Sequence, residues 1–300
     1  MTLLAIVLLL IASVVHAGWN IIGKRQHPSA AFFLLALVGS IAVLAIPTMA
    51  WQGGMLNRIP SAVWIALGIS SIFQATYYAS LAGAYRTGRM SIAYPVARSS
   101  PLIIVALASV ALHQGREIGL WCYVGISLVV GGCFVLPMQT WGELYLRNYL
   151  NRSCALALIA ACATAGYTLM DNWALHQLRQ IDGFTASGAS ALYFFLEQGA
   201  SSAWLALFVL TSSRERAQMP GVWQARWSAA VMGLGVYVAY TLVLISLAYV
   251  RNVSYAAAFR QVSILVGVGF SAWLLHEKLP IPRWVGASII FTGLVLVALG

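Results

Sequence analysis

Ten apolar runs of roughly 20 residues, joined by short polar segments, dominate this chain. The hydrocarbon core of a bilayer is about 30 Å thick, and a helix needs about 20 apolar residues to cross it. With 61% hydrophobic and only 8% charged residues among 300, the chain lacks the charged surface of a soluble domain. The sequence therefore predicts an all-α integral membrane protein with ten transmembrane helices and no soluble catalytic domain. The predicted spans are 3–22, 30–50, 62–85, 92–112, 118–136, 154–173, 186–210, 227–248, 255–275 and 284–299.

The segment VVHAGWNIIGKR, residues 14–25, ends the first apolar run with small and polar residues of the kind found where a secretory signal is cut. A secretory signal, however, has its positive residues ahead of its apolar stretch. Here Lys24 and Arg25 follow the run, and only Met1 and Thr2 precede it. We therefore expect the first run to be retained as a transmembrane helix.

Basic residues are distributed unevenly between the two sets of joints. Eleven Lys and Arg residues follow the odd-numbered spans, four follow the even-numbered spans, and Arg98 and Arg260 lie within spans. The positive-inside rule assigns the richer joints to the cytoplasm, so both termini are predicted to lie outside it. This distribution also accounts for the net charge of +10 without a clustered basic face, and no nucleic acid is expected as a partner.

The two halves of the chain share a sequence pattern. An SLA tripeptide at 80–82 opens a stretch that includes PVARSSPLIIVALASVALHQ, and one at 246–248 opens a stretch that includes AAFRQVSILVGVGFSAWLLHE. Because each half has five spans, an odd number, the second half must cross the bilayer in the opposite sense. We predict two inverted five-helix repeats at 1–137 and 153–300 with a linker at 138–152, an architecture that secondary transporters use for alternating access.

Several segments resemble the EamA-like branch of the drug/metabolite transporter (DMT) superfamily. They are HAGWNIIGK in the first span, YPVARSSPL in the fourth, YTLMD in the sixth, and LLHEKL with RWVGASIIFTGLVLVA near the C-terminus. The resemblance covers essentially the whole chain and implies a carrier of the bacterial plasma (inner) membrane, with periplasmic termini, that often exports amino acids or other small metabolites. Glu277 matches the acidic residue typical after the ninth span, whereas Gln114 stands at its counterpart after the fourth.

Five ionisable side chains fall at membrane depth in the predicted spans, namely His16, Arg98, Asp171, Glu197 and Arg260. A charge near the bilayer centre costs at least about 2.5 to 3.5 kcal/mol on insertion scales, so these residues indicate a functional site by default. The two positive and two negative residues also fit an alternative in which two buried ion pairs only hold helices together.

Polar and aromatic side chains recur at helical spacing in several spans, which places them on single helix faces. Gln74, Tyr77 and Tyr78 form one such set, and Tyr193 and Glu197 form another. Because lipid does not favour these groups, we expect the faces to converge on an interior cavity.

The side chains of the predicted cavity suit a small zwitterion. Arg98 or Arg260 would hold a carboxylate through a bidentate pair, and Glu197 or Asp171 would face an ammonium. Tyrosine and tryptophan rings would supply an apolar or cation–π wall. The predicted substrate-binding residues are His16, Trp19, Asn20, Gln74, Tyr77, Tyr78, Tyr94, Arg98, Tyr167, Asp171, Tyr193, Glu197, Tyr237, Tyr240 and Arg260.

The sequence has no GxxxxGK[ST] phosphate-binding motif, so no cofactor is expected and transport is predicted to use a gradient. Loss of hydration favours the neutral form of a carboxyl group, and histidine titrates near neutral pH. His16, Asp171 and Glu197 are therefore candidates for proton coupling, with facilitated efflux as the alternative. The four cysteines show no metal-ligand spacing, and no metal site is predicted.

Two other classes of function stay open at this stage. A lipid or lipid-precursor flippase is one alternative, although a passive lipid scramblase or a channel would show a continuous hydrophilic groove and the polar stripes here are short. An intramembrane enzyme would need a nucleophile with a base in reach, and GASS at 199–202 beside Glu197 is the only candidate. We predict a transporter rather than an enzyme, which binds a small-molecule substrate within the lipid bilayer as a monomer or homodimer.

Overall fold

A computed structural model describes residues 1–25, 29–87, 90–111, 118–143, 151–274 and 280–299 of the chain. The described residues form α-helices, two short 3-10 helices at Gly53–Arg58 and Trp141–Glu143, and connecting segments, without a strand. The α-helices are α1 (Leu3–Arg25), α2 (Ala30–Gln52), α3 (Ser61–Thr87), α4 (Met90–Ala111), α5 (Leu120–Val135), α6 (Arg152–Leu178), α7 (Ala186–Thr211), α8 (Ser213–Gln224), α9 (Arg226–Ser246), α10 (Val253–Phe259), α11 (Val262–Leu274) and α12 (Ile281–Leu299).

Several helices begin at side chains that accept a hydrogen bond from the first turn, where backbone N–H groups lack helical partners. Ser29 accepts from Phe32 N at the start of α2, and Asn151 accepts from Cys154 N at the start of α6. Thr185 accepts from Gly188 N at the start of α7. These caps fix where the chain turns back into the apolar layer.

Eight helical segments of the described chain are long and apolar enough to cross a membrane, and α4 and α5 contribute two shorter apolar stretches. Large apolar side chains on their outer faces are exposed, for example Leu107, Leu207 and Phe291 at 64%, 55% and 62%. Such a surface would be unstable in water and matches lipid. The chain is therefore an all-helical, multi-pass membrane protein.

Two features of the helices differ from the predicted spans. The joint at 211–226 contains a short polar helix, α8, which the apolar pattern did not reveal. The predicted span 255–275 is interrupted at Arg260 and Gln261. At this break the Ser263 hydroxyl donates to the Arg260 carbonyl at 2.7 Å, and Ile264 N bonds Gln261 O in a tighter, 3-10-like step.

Glycines allow two pairs of helices to pack at close range. A Cβ on Gly233 of α9 would collide with the backbone oxygen of Ala36 in α2. Between α5 and α12, a Cβ on Gly125 would come within 2.5 Å of Gly293 O, and one on Gly293 within 2.6 Å of Gly125 O. Small residues of this kind let helix backbones approach in a bilayer, where no hydrophobic force drives helices together.

The larger helix contacts join the two halves of the chain. Helix α6 packs against α3 and α4, whereas α1 packs against α9 and α11. Helices α2 and α7 contact each other, as do α5 and α12. The centre of the molecule is therefore built from α1, α3, α4, α6, α9 and the break between α10 and α11.

Candidate functional site

Two adjoining cavities of about 40 Å³ each lie near the middle of these central helices. Five side chains line both of them, and these are His16, Tyr77, Arg98, Tyr167 and Arg260. The first cavity is further lined by Ala12, Ser13, Trp19, Gln74, Tyr78, Phe194, Val236, Ala239, Tyr240 and Val243. The second is further lined by Asn20, Leu81, Ala97, Pro101, Leu102, Val105, Thr164, Thr168, Ala257 and Gln261.

Each cavity has room for about three water molecules, given the space that a buried water needs. A metabolite pocket is commonly several hundred Å³. The wall between the two cavities, which consists of the shared side chains, must therefore move for a metabolite to enter. In this structure each cavity is therefore too small for a metabolite.

Arg98 of α4 connects the two halves of the chain at one end of the shared wall. Its Nη2 donates to Ser263 Oγ at 2.6 Å, and its Nη1 lies 3.3 Å from His16 Nε2. Since a guanidinium is only a donor, His16 Nε2 must be the unprotonated, accepting nitrogen in this arrangement. Trp19 packs edge-on against the His16 ring with centroids 4.6 Å apart, and Asn20 donates to His16 O at 2.8 Å.

Arg260 lies at the break between α10 and α11, and the partners of its guanidinium are uncharged. Its Nη2 donates to Tyr167 OH at 3.4 Å, and its Nη1 contacts Thr168 Oγ1 at 3.5 Å. The guanidinium carbon lies 5.3 Å from the ring centroid of Tyr240, a cation–π distance. Among the described residues Arg260 forms no ion pair. Its charge is therefore available to an anionic ligand.

Aromatic rings form the wall between these cations and helix α7. Tyr77 packs against both Tyr78 and Tyr167, with ring centroids 5.1 and 6.0 Å apart, and Tyr167 meets Tyr240 at 5.5 Å. All three contacts are edge-to-face, the favourable geometry for aromatic pairs. This wall has apolar faces with hydroxyl groups at its edges.

The two carboxyl groups lie behind the tyrosine wall, where both residues are 0% exposed. Asp171 accepts hydrogen bonds from Ser70 Oγ at 2.5 Å, Tyr193 OH at 3.0 Å and Tyr240 OH at 2.6 Å. Glu197 Oε1 lies 2.6 Å from the same Ser70 Oγ. Hydroxyl groups thus bond both carboxyl groups, which also contact each other, and neither carboxyl group pairs with Arg260 in the described structure.

The structure brings most of the predicted site residues to one place. The cavity walls contain His16, Trp19, Asn20, Gln74, Tyr77, Tyr78, Arg98, Tyr167, Tyr240 and Arg260. Asp171, Tyr193 and Glu197 form the buried cluster behind the wall. Tyr237 donates to Ala191 O at 2.9 Å and stacks on Phe194. The side chain of Tyr94 lies outside the described residues, as do Gln114, Glu277 and residues 144–150 of the predicted linker.

Six polar residues at the site were not predicted from the sequence, namely Ser13, Ser70, Thr164, Thr168, Gln261 and Ser263. Ser70 lies four residues before Gln74 and extends its helix face by one turn, so the spacing carried a signal. A serine in a membrane helix is more often a packing residue, and nothing in its type set it apart. Gln261 and Ser263 depend on the helix break beside Arg260, which an uninterrupted apolar run did not reveal.

Comparison with known proteins relates residues 3–138 to a family of transporters. Residues 3–138 match the model of the EamA-like transporter family, part of the drug/metabolite transporter superfamily. Over these residues the match confirms the resemblance predicted from the sequence. The chain is thus a multi-pass membrane protein whose residues 3–138 are similar to the EamA-like transporter family.

No curated protein matches the chain significantly. Among solved structures, one crystal structure, described only as that of a protein, aligns with a TM-score of 0.70 and 18% sequence identity. The alignment covers 99% of this chain and 96% of the other. At this level of identity the likeness concerns the fold alone.

Proposed function

We propose that this chain is a secondary carrier that binds a small metabolite with an anionic group, such as an amino acid, in its central cavity. The proposal is carried by one observation: the guanidinium groups of Arg98 and Arg260, one from each half of the chain, line the same buried cavity. Cations at membrane depth are costly unless they serve a partner. A carboxylate between them would accept charge-assisted hydrogen bonds from both.

The ammonium group of an amino acid would lie against tyrosine faces. Tyr77, Tyr167 and Tyr240 line the cavity, and aromatic faces attract cations that have lost their water. Asp171 and Glu197 would act on the substrate through Tyr240, which lines the cavity and donates to Asp171.

Transport would proceed by alternating access between two inverted five-helix repeats, 1–137 and 153–300. The helix packing supports this proposal. When each helix of the first half is exchanged for its counterpart in the second, the α3–α6 contact becomes the α9–α1 contact, and the α4–α6 contact becomes that of α11 with α1. The α2–α7 and α5–α12 contacts map onto themselves. An axis in the membrane plane would produce this pattern.

The proposed location is the bacterial plasma membrane, with both termini periplasmic. The support is the bias of Lys and Arg toward one set of joints. Under this orientation α8, with Arg214 and Arg216, lies at the cytoplasmic surface.

A thermal-shift screen of the purified protein in detergent tests the proposed substrate class. Amino acids, phosphonates, polyamines and nucleosides would be compared, since a ligand that binds only the folded state raises its apparent stability. We expect stabilisation by compounds with a carboxylate and none by polyamines. Stabilisation should be lost in Arg260→Gln and kept in Arg251→Gln, which changes an exposed arginine. A ligand effect that survives Arg260→Gln, or one confined to polyamines, would overturn the proposal.

A further inference from the structure

We propose that Asp171 and Glu197 together form a binding site for a single proton, which Ser70 holds between them. The site is separate from the substrate cavity and connects to it through Tyr240. Its link to transport rests on the proposed carrier function. The shared proton itself is a property of the folded chain and can be measured without a substrate.

The proton count follows from the Ser70 hydroxyl. Its oxygen lies 2.5 Å from Asp171 Oδ1 and 2.6 Å from Glu197 Oε1. Both distances are those of strong O–H···O hydrogen bonds. A serine hydroxyl has one proton and can donate to only one carboxyl group. The other short contact needs a proton that comes from a carboxyl group and is donated to the serine oxygen.

The hydrogen-bond partners assign that proton to Glu197. Asp171 accepts from Tyr193 and Tyr240 as well as Ser70, and a carboxylate with three donors is stabilised in its charged form. Glu197 Oε2 is buried and has no hydrogen-bond partner among the described residues. An ionised Glu197 would leave that oxygen charged and unsolvated, which is costly, whereas a neutral carboxyl oxygen is tolerated more easily.

In the resulting chain of hydrogen bonds, each bond has one proton. The Glu197 carboxyl O–H donates to Ser70 Oγ, the Ser70 O–H donates to Asp171 Oδ1, and the pair has a net charge of −1. Adding one proton makes the pair neutral, and removing one makes its charge −2. Ser70 is a positioning residue in this scheme because it orders the proton without keeping it.

The titratable groups that face the pair, among the described residues, are tyrosines and Arg260. Tyr193 of α7 and Tyr240 of α9 bond Asp171 directly, and the rings of Tyr78 and Tyr167 lie one layer further toward the cavity. The guanidinium of Arg260 lies over the aromatic ring of Tyr240, whose hydroxyl group bonds Asp171. Tyr240 therefore touches both the pair and the cavity cation. A second negative charge on the pair would weaken binding of an anion at Arg260, so proton and anion should favour each other's binding.

Infrared spectroscopy of the purified protein in detergent tests the shared proton. The C=O stretch of a protonated carboxyl group is separate from the bands of an ionised carboxylate. The chain has seven Asp and Glu residues, and at neutral pH we expect a protonated-carboxyl band in the wild type. Glu197→Gln should remove this band, and Asp171→Asn should keep it. Ser70→Ala should move it to higher frequency, because the acid loses its acceptor, and Ser70→Thr should restore it.

Asp182→Asn is the matched control because it makes the same change as Asp171→Asn at an exposed turn, and it should leave the band unchanged. A wild-type spectrum without a protonated-carboxyl band overturns the proposal even if no variant folds. Loss of the band in Asp171→Asn with retention in Glu197→Gln overturns the assignment to Glu197. A failed ligand screen would instead count against the carrier function alone.

Discussion

At the scale of single residues, Tyr240 joins the two chemical parts of the centre. Its ring lies against the Arg260 guanidinium, and its hydroxyl donates to Asp171 Oδ2. Tyr237, one turn earlier on the same helix, donates instead to the backbone oxygen of Ala191. Two tyrosines of α9 thus make buried hydrogen bonds to acceptors of different charge, at 2.6 Å for Tyr240 and 2.9 Å for Tyr237.

This pair of tyrosines gives a matched test. Tyr240→Phe keeps the ring but removes a hydrogen bond to a carboxylate, a loss of about 1.5–3 kcal/mol, whereas Tyr237→Phe removes a neutral bond worth about 1 kcal/mol. We expect thermal unfolding in detergent to show the larger destabilisation for Tyr240→Phe. Equal losses for the two variants would mean that Asp171 is not ionised as described.

Some residues of the site could be predicted from the sequence, and others could not. Intramembrane charges such as Arg98 and Arg260 stand out because their cost in lipid requires a reason. Ser70 did not stand out, because a small hydroxyl is common at helix interfaces and its role depends on two carboxyl groups from other helices. The inward face of a helix can be deduced from spacing, whereas its partners across the cavity cannot.

At the scale of elements, an ion pair with a buried carboxylate holds α8. Glu215 is nearly buried, pairs with Arg86 at the end of α3 at 2.5 Å, and accepts from Ala31 N at the start of α2 at 3.3 Å. A single carboxylate therefore ties α8 to two transmembrane helices, and its bond to Ala31 N is also favourable for the positive end of the α2 dipole.

Release of α8 is the expected consequence of Glu215→Ala. Without the carboxylate, Arg86 and Ala31 N lose their partner, and trypsin should cut at Arg214 or Arg216 faster than in the wild type. Digestion in detergent followed by mass spectrometry measures this. Asp182→Ala removes an exposed carboxylate elsewhere and should leave the rate unchanged. An unchanged rate in Glu215→Ala would mean that other contacts hold α8.

The packing of α2 against α9 gives a second prediction at this scale. In Gly233→Ala the new methyl would meet the Ala36 backbone oxygen, which cannot move without shifting the helix, and overpacking of this kind costs about 1–3 kcal/mol. Gly199 has no neighbour within 4 Å of an added Cβ, so Gly199→Ala should keep or slightly raise stability. Thermal unfolding compares the two, and similar midpoints would contradict the described contact.

At the scale of the whole molecule, the proposed carrier depends on a change in the charge of a buried pair. In Glu197→Gln the side-chain amide resembles the neutral carboxylic acid but cannot release a proton. The variant would therefore be held in one protonation state.

Glu197→Gln should abolish substrate uptake driven by a pH gradient in proteoliposomes. Counterflow of the radiolabelled compound found in the ligand screen should persist, because exchange of bound substrate needs no net proton movement. Asp182→Asn, with an exposed carboxylate replaced, should retain both activities. Unchanged gradient-driven uptake in Glu197→Gln would remove this residue from proton coupling.

The sequence by itself determined the class of the molecule. Composition and run length required helices in lipid, because only a helix or closed barrel satisfies every backbone group there. The tertiary structure decided which polar groups meet, where the span at 255–275 breaks, and that the carboxyl groups bond hydroxyls behind Tyr240 instead of lining the cavity. The physical reason is range. Periodicity and hydropathy act within one helix, whereas the hydrogen bonds of the buried carboxyl groups join different helices, across 22 to 127 positions of the sequence.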